Sequence, residues 1–498
     1  MLALLALNLV ACGGGGGGGS SPTTGAGTDP DTTTGDSAGD TGGGGGTGSS
    51  SGWSTLTRIG NSRNDFDYDL YQPSIAVDAS GTVVAAWVEE YDGATDNLPR
   101  VWANMHMGSG WGTPFQLSTD LAHSPAVALN ADGEGAAVYV ERVPATGGGW
   151  NEIIWARRYV SGAWQAAERI SHATTEPYGM YAREPQVGVD GAGKVLVVWR
   201  QSDTTATNYD GVFASRHDGS AWSTPERLDS LYSAYADALT LAVSSNGTAA
   251  VVWVENTNPF DPSEVGGGPM LPNAWARIYS GGAWQPGVEI GSPDLAGFDA
   301  ASRPMVTINA GGDAAAVWEE HTTAYGYRIM TSRYDALGGI WSTAAPLASS
   351  TTYLSWPSVS IDSAGNVAAA WSADDPVSGI ADGVLRYYED LGGSWSSELA
   401  YEDAAEDLSG GPQLGTDSSG NIWVAWLQDG AGTLATQLNA RRYVPGSGFE
   451  TQSTAGSGFD FALGVNDPGQ VALLSLRTIY SSSPVGFFNA PWATLYTP

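Results

Sequence analysis

The sequence predicts an all-β fold, an eight-bladed β-propeller of four-stranded antiparallel blades, and three observations carry that prediction. The first is a motif that recurs eight times: a small polar residue, Gly three positions later and an aromatic nine positions after the polar residue. The polar residues are Asp78, Asn130, Asp190, Ser244, Asn309, Asp362, Asp417 and Asn466, and Gly stands at +3 in every copy. The aromatic is Trp87, Tyr139, Trp199, Trp253, Trp318, Trp371 and Trp426, with Ser475 as the one failure. The second is the spacing of the copies, 49 to 65 positions, which matches a propeller blade and carries only β signals. The third lies at the two ends: the eighth unit lacks a fourth strand, and residues 53–59, WSTLTRI, form a fourth strand with no unit of their own. The N-terminal strand is therefore expected to complete the last blade and remove the edges that an open ring would expose.

Residues 1–12, MLALLALNLVAC, are apolar and end on the only cysteine of the 498-residue chain. Leu9-Val10-Ala11 followed by Cys12 resembles the signal of bacterial surface lipoproteins, in which the cysteine is lipidated and becomes the new N-terminus. The positive segment that usually opens such a signal is missing. The resemblance implies a lipid-anchored, extracytoplasmic protein of the cell envelope, at the outer membrane or cell surface. A single cysteine excludes an intrachain disulfide. Residues 13–52 are almost entirely Gly, Ser, Thr, Asp and Pro. Such a segment cannot bury a core, and some 40 residues of it reach roughly 35 Å as a flexible tether. Residues 53–498 form the propeller.

Within each unit, a short Val- and Ile-rich run precedes the polar turn residue and another follows it, both too short for helices. Asp, Asn or Ser can bond the backbone two residues on, and the Gly supplies the positive φ that closes a type I hairpin turn. The third strand carries Trp102, Trp155, Phe213, Trp275 and Trp492 in five copies, and the fourth opens on Trp111, Trp164, Trp222, Trp284, Trp341, Trp395 and Phe449. Of the 20 tryptophans, 17 fall at repeated positions and are read as packing between blades; Trp150, Trp356 and Trp423 stand outside the scheme.

The net charge is −33, and it arises from a lack of base: one lysine, Lys194, and 19 arginines. That balance argues against nucleic acid as a partner, since such binding rests on neutralising phosphates. It also disfavours direct contact with anionic lipid, so a membrane is engaged through the lipid anchor alone. The third-strand arginines (Arg157, Arg158, Arg216, Arg277, Arg333, Arg386, Arg441, Arg442) and the fourth-strand Glu168, Glu226 and Glu398 are expected to pair across strands.

The turns between strands one and two, and between three and four, are short and uniform. The longer, variable connections (91–100, 142–151, 256–273 and 374–383 within blades; 60–72, 171–184, 291–303 and 400–411 between them) fall on the opposite face, where a ligand is expected. Two sets of polar residues point there. One lies two residues after the second-strand aromatic: Glu89, Glu141, Gln201, Glu255, Glu320 and Gln428. Its recurrence favours a structural role in locking blades, with ligand contact as the alternative. The other stands before the first-strand proline and varies between copies: Gln72, Ser124, Glu184, Arg303, Trp356 and Gly411. Glu184, Arg303 and Trp356, with His321, are the best candidates for an asymmetric ligand site; exposed loop is their bland alternative. Asn64-Asp65-Phe66-Asp67-Tyr68-Asp69 offers alternating carboxylates, but Leu70 stands where an EF-hand loop requires Gly, leaving room only for a looser Ca²⁺ site and no other cofactor.

The repeats resemble, in architecture, the sialidase or Asp-box propellers and the propeller lectins. The Asp-box itself is not present, because Trp follows Gly by six. A sialidase would need three arginines on a carboxylate; Arg183, Arg200 and Arg303 are available, but no motif fixes them. The five histidines show no ligand spacing, and no nucleophile elbow, zinc helix or phosphate loop is found. The resulting expectation is a monomeric surface protein that binds a glycan or a protein. A glycan-cleaving enzyme, marked by paired carboxylates, and a structural component of the envelope are the alternatives.

Overall fold

The computed structural model describes residues 52–60, 68–91, 98–119, 121–145, 148–171, 181–203, 209–229, 235–256, 272–291, 300–322, 326–375, 381–389, 393–402, 408–429, 436–482 and 485–498. Cys12, the tether and most of 64–69 lie outside them. Among the described residues every element is a strand, and the strands form eight antiparallel sheets. The first strands are Tyr68–Val77, Ala122–Leu129, Ala182–Val189, Tyr235–Val243, Ala300–Ile308, Leu354–Ile361, Leu408–Thr416 and Asp460–Val465. Each touches the next, and the last touches the first, so the sheets form a closed ring: an eight-bladed β-propeller.

The hairpin chemistry is regular. In every blade the Gly N–H donates to the carbonyl of the turn's polar residue at 2.9–3.2 Å. All eight of these glycines have φ between 72° and 96°. Asp78 Oδ1 accepts from the backbone of Ser80 and Thr82, both at 2.8 Å. Several turns also reach the next blade: Asn130 Nδ2 donates to Asp190 O at 3.0 Å, and Asn466 Nδ2 to Asp78 O at 2.8 Å, the latter joining blade 8 to blade 1.

The core sits between blades rather than inside any one of them. Trp87, Trp199, Trp253, Trp318, Trp371 and Trp426 are fully buried, against the Val and Ala of neighbouring sheets. The fourth strand of most blades consists of two short pieces, as in Ala163–Trp164 and Glu168–Arg169. The N-terminal segment repeats this form in Gly52–Trp53 and Thr57–Arg58, both paired with Val485–Thr497. Trp53 packs edge-on to Trp423 and Tyr496 at 5.9 and 5.5 Å, so Trp423, outside the sequence scheme, belongs to this seam. Blade 8 is thus completed by the first described strand of the chain.

Candidate functional site at the channel mouth

The innermost strands share one irregularity. Near its start, each first strand of blades 1 to 7 slips in register against the second, between Tyr71 and Ser74 in blade 1 and at equivalent places in the others. A non-glycine residue with positive φ sits in six of these bulges: Gln72 (57°), Ser124 (52°), Glu184 (52°), Ala238 (43°), Arg303 (44°) and Trp356 (54°). Five of them precede proline, which normally drives its predecessor to extended backbone. Such a conformation costs about 1–3 kcal/mol per residue and persists only where its surroundings over-determine it. Bulges re-aim side chains, and these set one variable residue near the start of the innermost strand in six of the eight blades.

Their contacts differ from blade to blade. Gln72 Oε1 accepts the Ser124 N–H at 2.6 Å, coupling blades 1 and 2. In blade 3, buried Arg200 holds Glu184 at 2.9 Å and Asp210 at 2.9 Å. In blade 5 the polarity is inverted: Arg303 Nη1 donates to both oxygens of Glu319 at 3.0 Å. The same carboxylate accepts Ser302 Oγ at 3.0 Å and the backbone N–H of Trp356 at 2.7 Å. Trp356 lies so close to Gly411 that a Cβ there would meet its own Cβ at 2.3 Å; glycine at this bulge makes room for the indole.

A second cluster joins blades 2 and 3. Glu152 receives Arg142 Nε at 3.0 Å, Arg183 Nε at 3.4 Å and His123 Nε2 at 3.6 Å. Burial alone would raise its pKa, but the nearby His123 and the hydrogen bond and charge of Arg142 outweigh burial and hold it at about 2. Arg183 also lies over the Tyr181 ring at 5.0 Å. On the blade 8 side, burial pushes half-buried Asp460 up to about 6, against the backbone N–H groups of Phe461 and Gln72. At the edge of blades 5 and 6, His321, Tyr327 and Tyr353 form a run of tilted rings at 4.5 and 4.4 Å, with Tyr353 60 % exposed.

The glutamates two residues after the aromatic behave differently. The Trp87 indole donates to Glu89 at 2.9 Å, Trp199 to Gln201 at 3.0 Å, Trp253 to Glu255 at 2.9 Å and Trp426 to Gln428 at 3.1 Å. Glu141 accepts the Thr119 N–H at 3.0 Å, and Glu320 pairs with Arg328 at 2.5 Å. All six are buried. Side chains two apart share a strand face, so each carboxylate or amide follows its aromatic between the blades.

The residue one after the aromatic points the other way. It is Val88, Val140, Arg200, Val254, Glu319, Ser372, Leu427 and Leu476, charged only in blades 3 and 5. Those two charges are the partners of Glu184 and Arg303. The sequence reading missed Glu319, Glu152 and Asp460, and the break in symmetry at this position was the signal for Glu319. Arg183 and Arg200 are cross-strand partners in blade 3, Arg303 stands in blade 5, and each is engaged by a carboxylate. Glu168 and Glu226 stand opposite Ala156 and Ala214, not opposite the third-strand arginines. Several of those arginines bond carbonyls at the opening of the fourth strand instead: Arg157 to Gln165, Arg386 to Ser396 and Arg441 to Glu450. Among the described residues, no group of three or more His, Cys, Asp or Glu is placed to hold a metal ion, and no helix is long and apolar enough to cross a membrane.

No protein-family model matches this chain. No curated protein matches it either. Solved structures do. A protein of unknown function from Dyadobacter fermentans is 11 % identical, with 78 % of this chain and 96 % of that one covered and a TM-score of 0.39. The Hadza microbial sialidase Hz136 is 14 % identical over 70 % of this chain and 74 % of its own, with a TM-score of 0.36. The α-L-arabinofuranosidase Arb93A from Fusarium graminearum is 14 % identical over 65 % of this chain and 92 % of its own, with a TM-score of 0.34. The eight-bladed ring itself rests on the strand pairing of this chain.

Proposed function

We propose that this chain is a lipid-anchored, extracytoplasmic protein of the cell envelope that binds a glycan or a surface protein at the channel mouth, as a monomer. The ring of left-handed bulge residues carries the reading. A strained backbone is maintained in six blades, yet its side chains are not uniform: Arg303 with Glu319, Trp356 beside them, and Glu184 with Arg200. Packing alone asks for the same residue in every blade, as it does of the buried tryptophans. Charge pairs of opposite polarity next to an indole suit a ligand with hydroxyl or charged groups and an apolar face. The exposed rings of His321 and Tyr353 extend that surface. The anchor rests on Cys12 and the residues before it, and the distance from the membrane on the Gly-rich segment after it.

The test is a glycan array probed with residues 52–498, with and without Ca²⁺, beside the double variant Arg303→Ala/Trp356→Ala. A defined hit lost in a folded double variant supports the proposal; a hit that the variant retains moves the site elsewhere. A blank array followed by capture of an envelope protein through the same two residues supports the protein-binding form. For the anchor, Cys12→Ala should release the protein from membranes of its native host, and unchanged fractionation would sink that part.

One observation favours glycan cleavage as the second reading. Burial pushes the Asp460 carboxyl up to about 6, the range suited to general acid catalysis. Release of sugar from an array hit, lost in Asp460→Asn, would establish it.

A further inference from the structure

On the opposite face of the ring, the third strand places an arginine in the seam toward the next blade. Arg216 of blade 3 reaches its own blade's turn carboxylate, Asp190, at 2.7 Å. Its guanidinium lies 5.0 Å from the ring of Tyr279 in blade 4, and Nη1 donates to that phenol oxygen at 3.1 Å. Nη2 stands 3.6 Å from where a Cβ on Gly247, the turn glycine of blade 4, would lie. Arg333 of blade 5 repeats this against blade 6: its guanidinium is 4.1 Å from the Tyr388 ring, and Nη2 donates to the turn glycine carbonyl of Gly365 at 3.5 Å. In blade 7, Arg442 approaches its turn carboxylate, Asp417, at 3.8 Å. Each guanidinium thus meets a carboxylate from its own turn, or an aromatic and the turn glycine of the next blade, or all three.

Blade 6 keeps the partners and lacks the cation. Its turn carboxylate is Asp362, the next blade's aromatic is Tyr443 and the next blade's turn glycine is Gly420. The residue in the arginine's place is Tyr387, whose ring lies 5.3 Å from that of Tyr443, with the two phenols hydrogen-bonded. A cavity of about 330 Å³ opens there, lined by Asp362, Tyr387, Glu389, Ser418, Ser419 and Gly420 among others. Asp362 is buried and is held by Asn366 Nδ2 at 2.7 Å, as Asp417 is held by Asn421 at 2.8 Å; what Asp417 has in addition is Arg442. Glu389, exposed, adds a second carboxylate at the rim.

We infer that the cavity between blades 6 and 7 takes a guanidinium group from outside the chain, that of an arginine side chain in a partner polypeptide. In blade 3 a guanidinium meets all three counterparts of this lining, and in blades 5 and 7 it meets some of them, so the chemistry is read from the protein's own repeats. The planar cation suits the site because it can stack on Tyr387 while its N–H fork addresses carboxylate and carbonyl; an ammonium does only the second. A chain of net charge −33 also draws cationic partners toward it. The site is distinct from the channel mouth and does not depend on what the mouth binds.

The experiment titrates the full chain with acetyl-arginine amide, acetyl-citrulline amide, acetyl-lysine amide and agmatine, followed by NMR. The arginine probe should bind about ten-fold more tightly than citrulline, its uncharged isostere, and more tightly than lysine. Tyr387→Arg restores the internal guanidinium and should abolish binding. Glu389→Gln, at an exposed position that leaves the fold alone, should weaken it several-fold. Equal affinity for arginine and citrulline overturns the inference, as does full binding by Tyr387→Arg or unchanged affinity in Glu389→Gln. Agmatine binding more tightly than capped arginine would overturn the polypeptide source.

Discussion

Ile59→Ala tests the closure of the ring at a single side chain. Ile59 is 2 % exposed and packs with Leu70, Ile75, Trp87, Leu476 and Ala493, residues of blades 1 and 8. Its N–H donates to Pro491 O at 3.0 Å, and its carbonyl accepts Asn104 Nδ2 at 2.8 Å, so its backbone also joins the two blades. It is one of eight copies of a buried residue six positions after the outer-strand aromatic: Leu117, Ile170, Leu228, Ile290, Leu347 and Tyr401 are at most 4 % exposed, and Ala455 of blade 7 is 8 % exposed. The change removes about three methylene-sized groups, or about 2.5 kcal/mol at ~0.8 kcal/mol each. A cavity between two sheets that are braced on their other sides collapses poorly, which raises the expected loss to about 3–4 kcal/mol. Equilibrium urea unfolding measures it, with Leu228→Ala as the matched interior site and Ile340→Ala, 65 % exposed, as the surface control. A loss like that of Leu228→Ala is expected. If Ile59→Ala instead follows the surface control, within about 0.5 kcal/mol of the parent, the N-terminal segment does not hold blade 8 to blade 1.

Glu152, held at about 2, contributes stability that is fully present above its unfolded value near 4.5 and is lost as pH falls toward 2. Urea midpoints should therefore fall between pH 5 and pH 2 more steeply in the parent than in Glu152→Gln. Asp460 runs the other way: its folded value of about 6 lies above the unfolded one, so its ionisation opposes folding as pH rises from about 4 through 6. Asp460→Asn should gain on the parent above pH 6 and lose that advantage below pH 4, by the same assay. Trp356→Gly and Arg303→Gly replace strained residues at φ 54° and 44° by one that adopts positive φ freely. Each recovers about 1 kcal/mol of backbone strain to set against lost side-chain contacts. Midpoints should stay near the parent's while mouth binding is lost; a large destabilisation would mean that these side chains serve packing.

The propeller was legible because its signals are local and repeated. Gly81 and its seven counterparts mark turns that only positive φ can close, and residues 53–59 carry an outer-strand pattern with no blade beside them. The residues before the first-strand prolines stood out in the sequence by their variation, but their geometry did not. The residue before proline was expected to be merely exposed loop or ligand contact; its left-handed backbone runs against proline's own preference and is imposed by the bulge, a tertiary effect that no local pattern announces. The acceptor at Glu89 and Glu255 was evident from recurrence, but its donor was not: it is the indole two residues earlier on the same strand. Glu319 does not recur as Glu320 does; strand alternation sets it on the other face of the blade, where the equivalent position is apolar in most blades. Glu152 gathers ligands from three strands in two blades, a convergence that sequence spacing does not encode.

The pairing of Gly52–Trp53 and Thr57–Arg58 with the last strand also orders events in time. Ser54 and Leu495, bonded at 2.9 Å, are 441 residues apart in the chain. A polypeptide delivered N-terminus first makes this outer strand before any blade exists and can satisfy it only after the whole ring has been produced. Closing so long a loop costs little more free energy than closing one of half the length, but such non-local contacts are slow to find. In the interval, Trp53 lacks its partners Trp423 and Tyr496, and the strand Val485–Thr497 presents an unpaired edge to any other nascent chain. The hazard of misassembly is therefore concentrated in the last step of biogenesis, where an eighth blade borrowed from a neighbouring molecule would be the characteristic error.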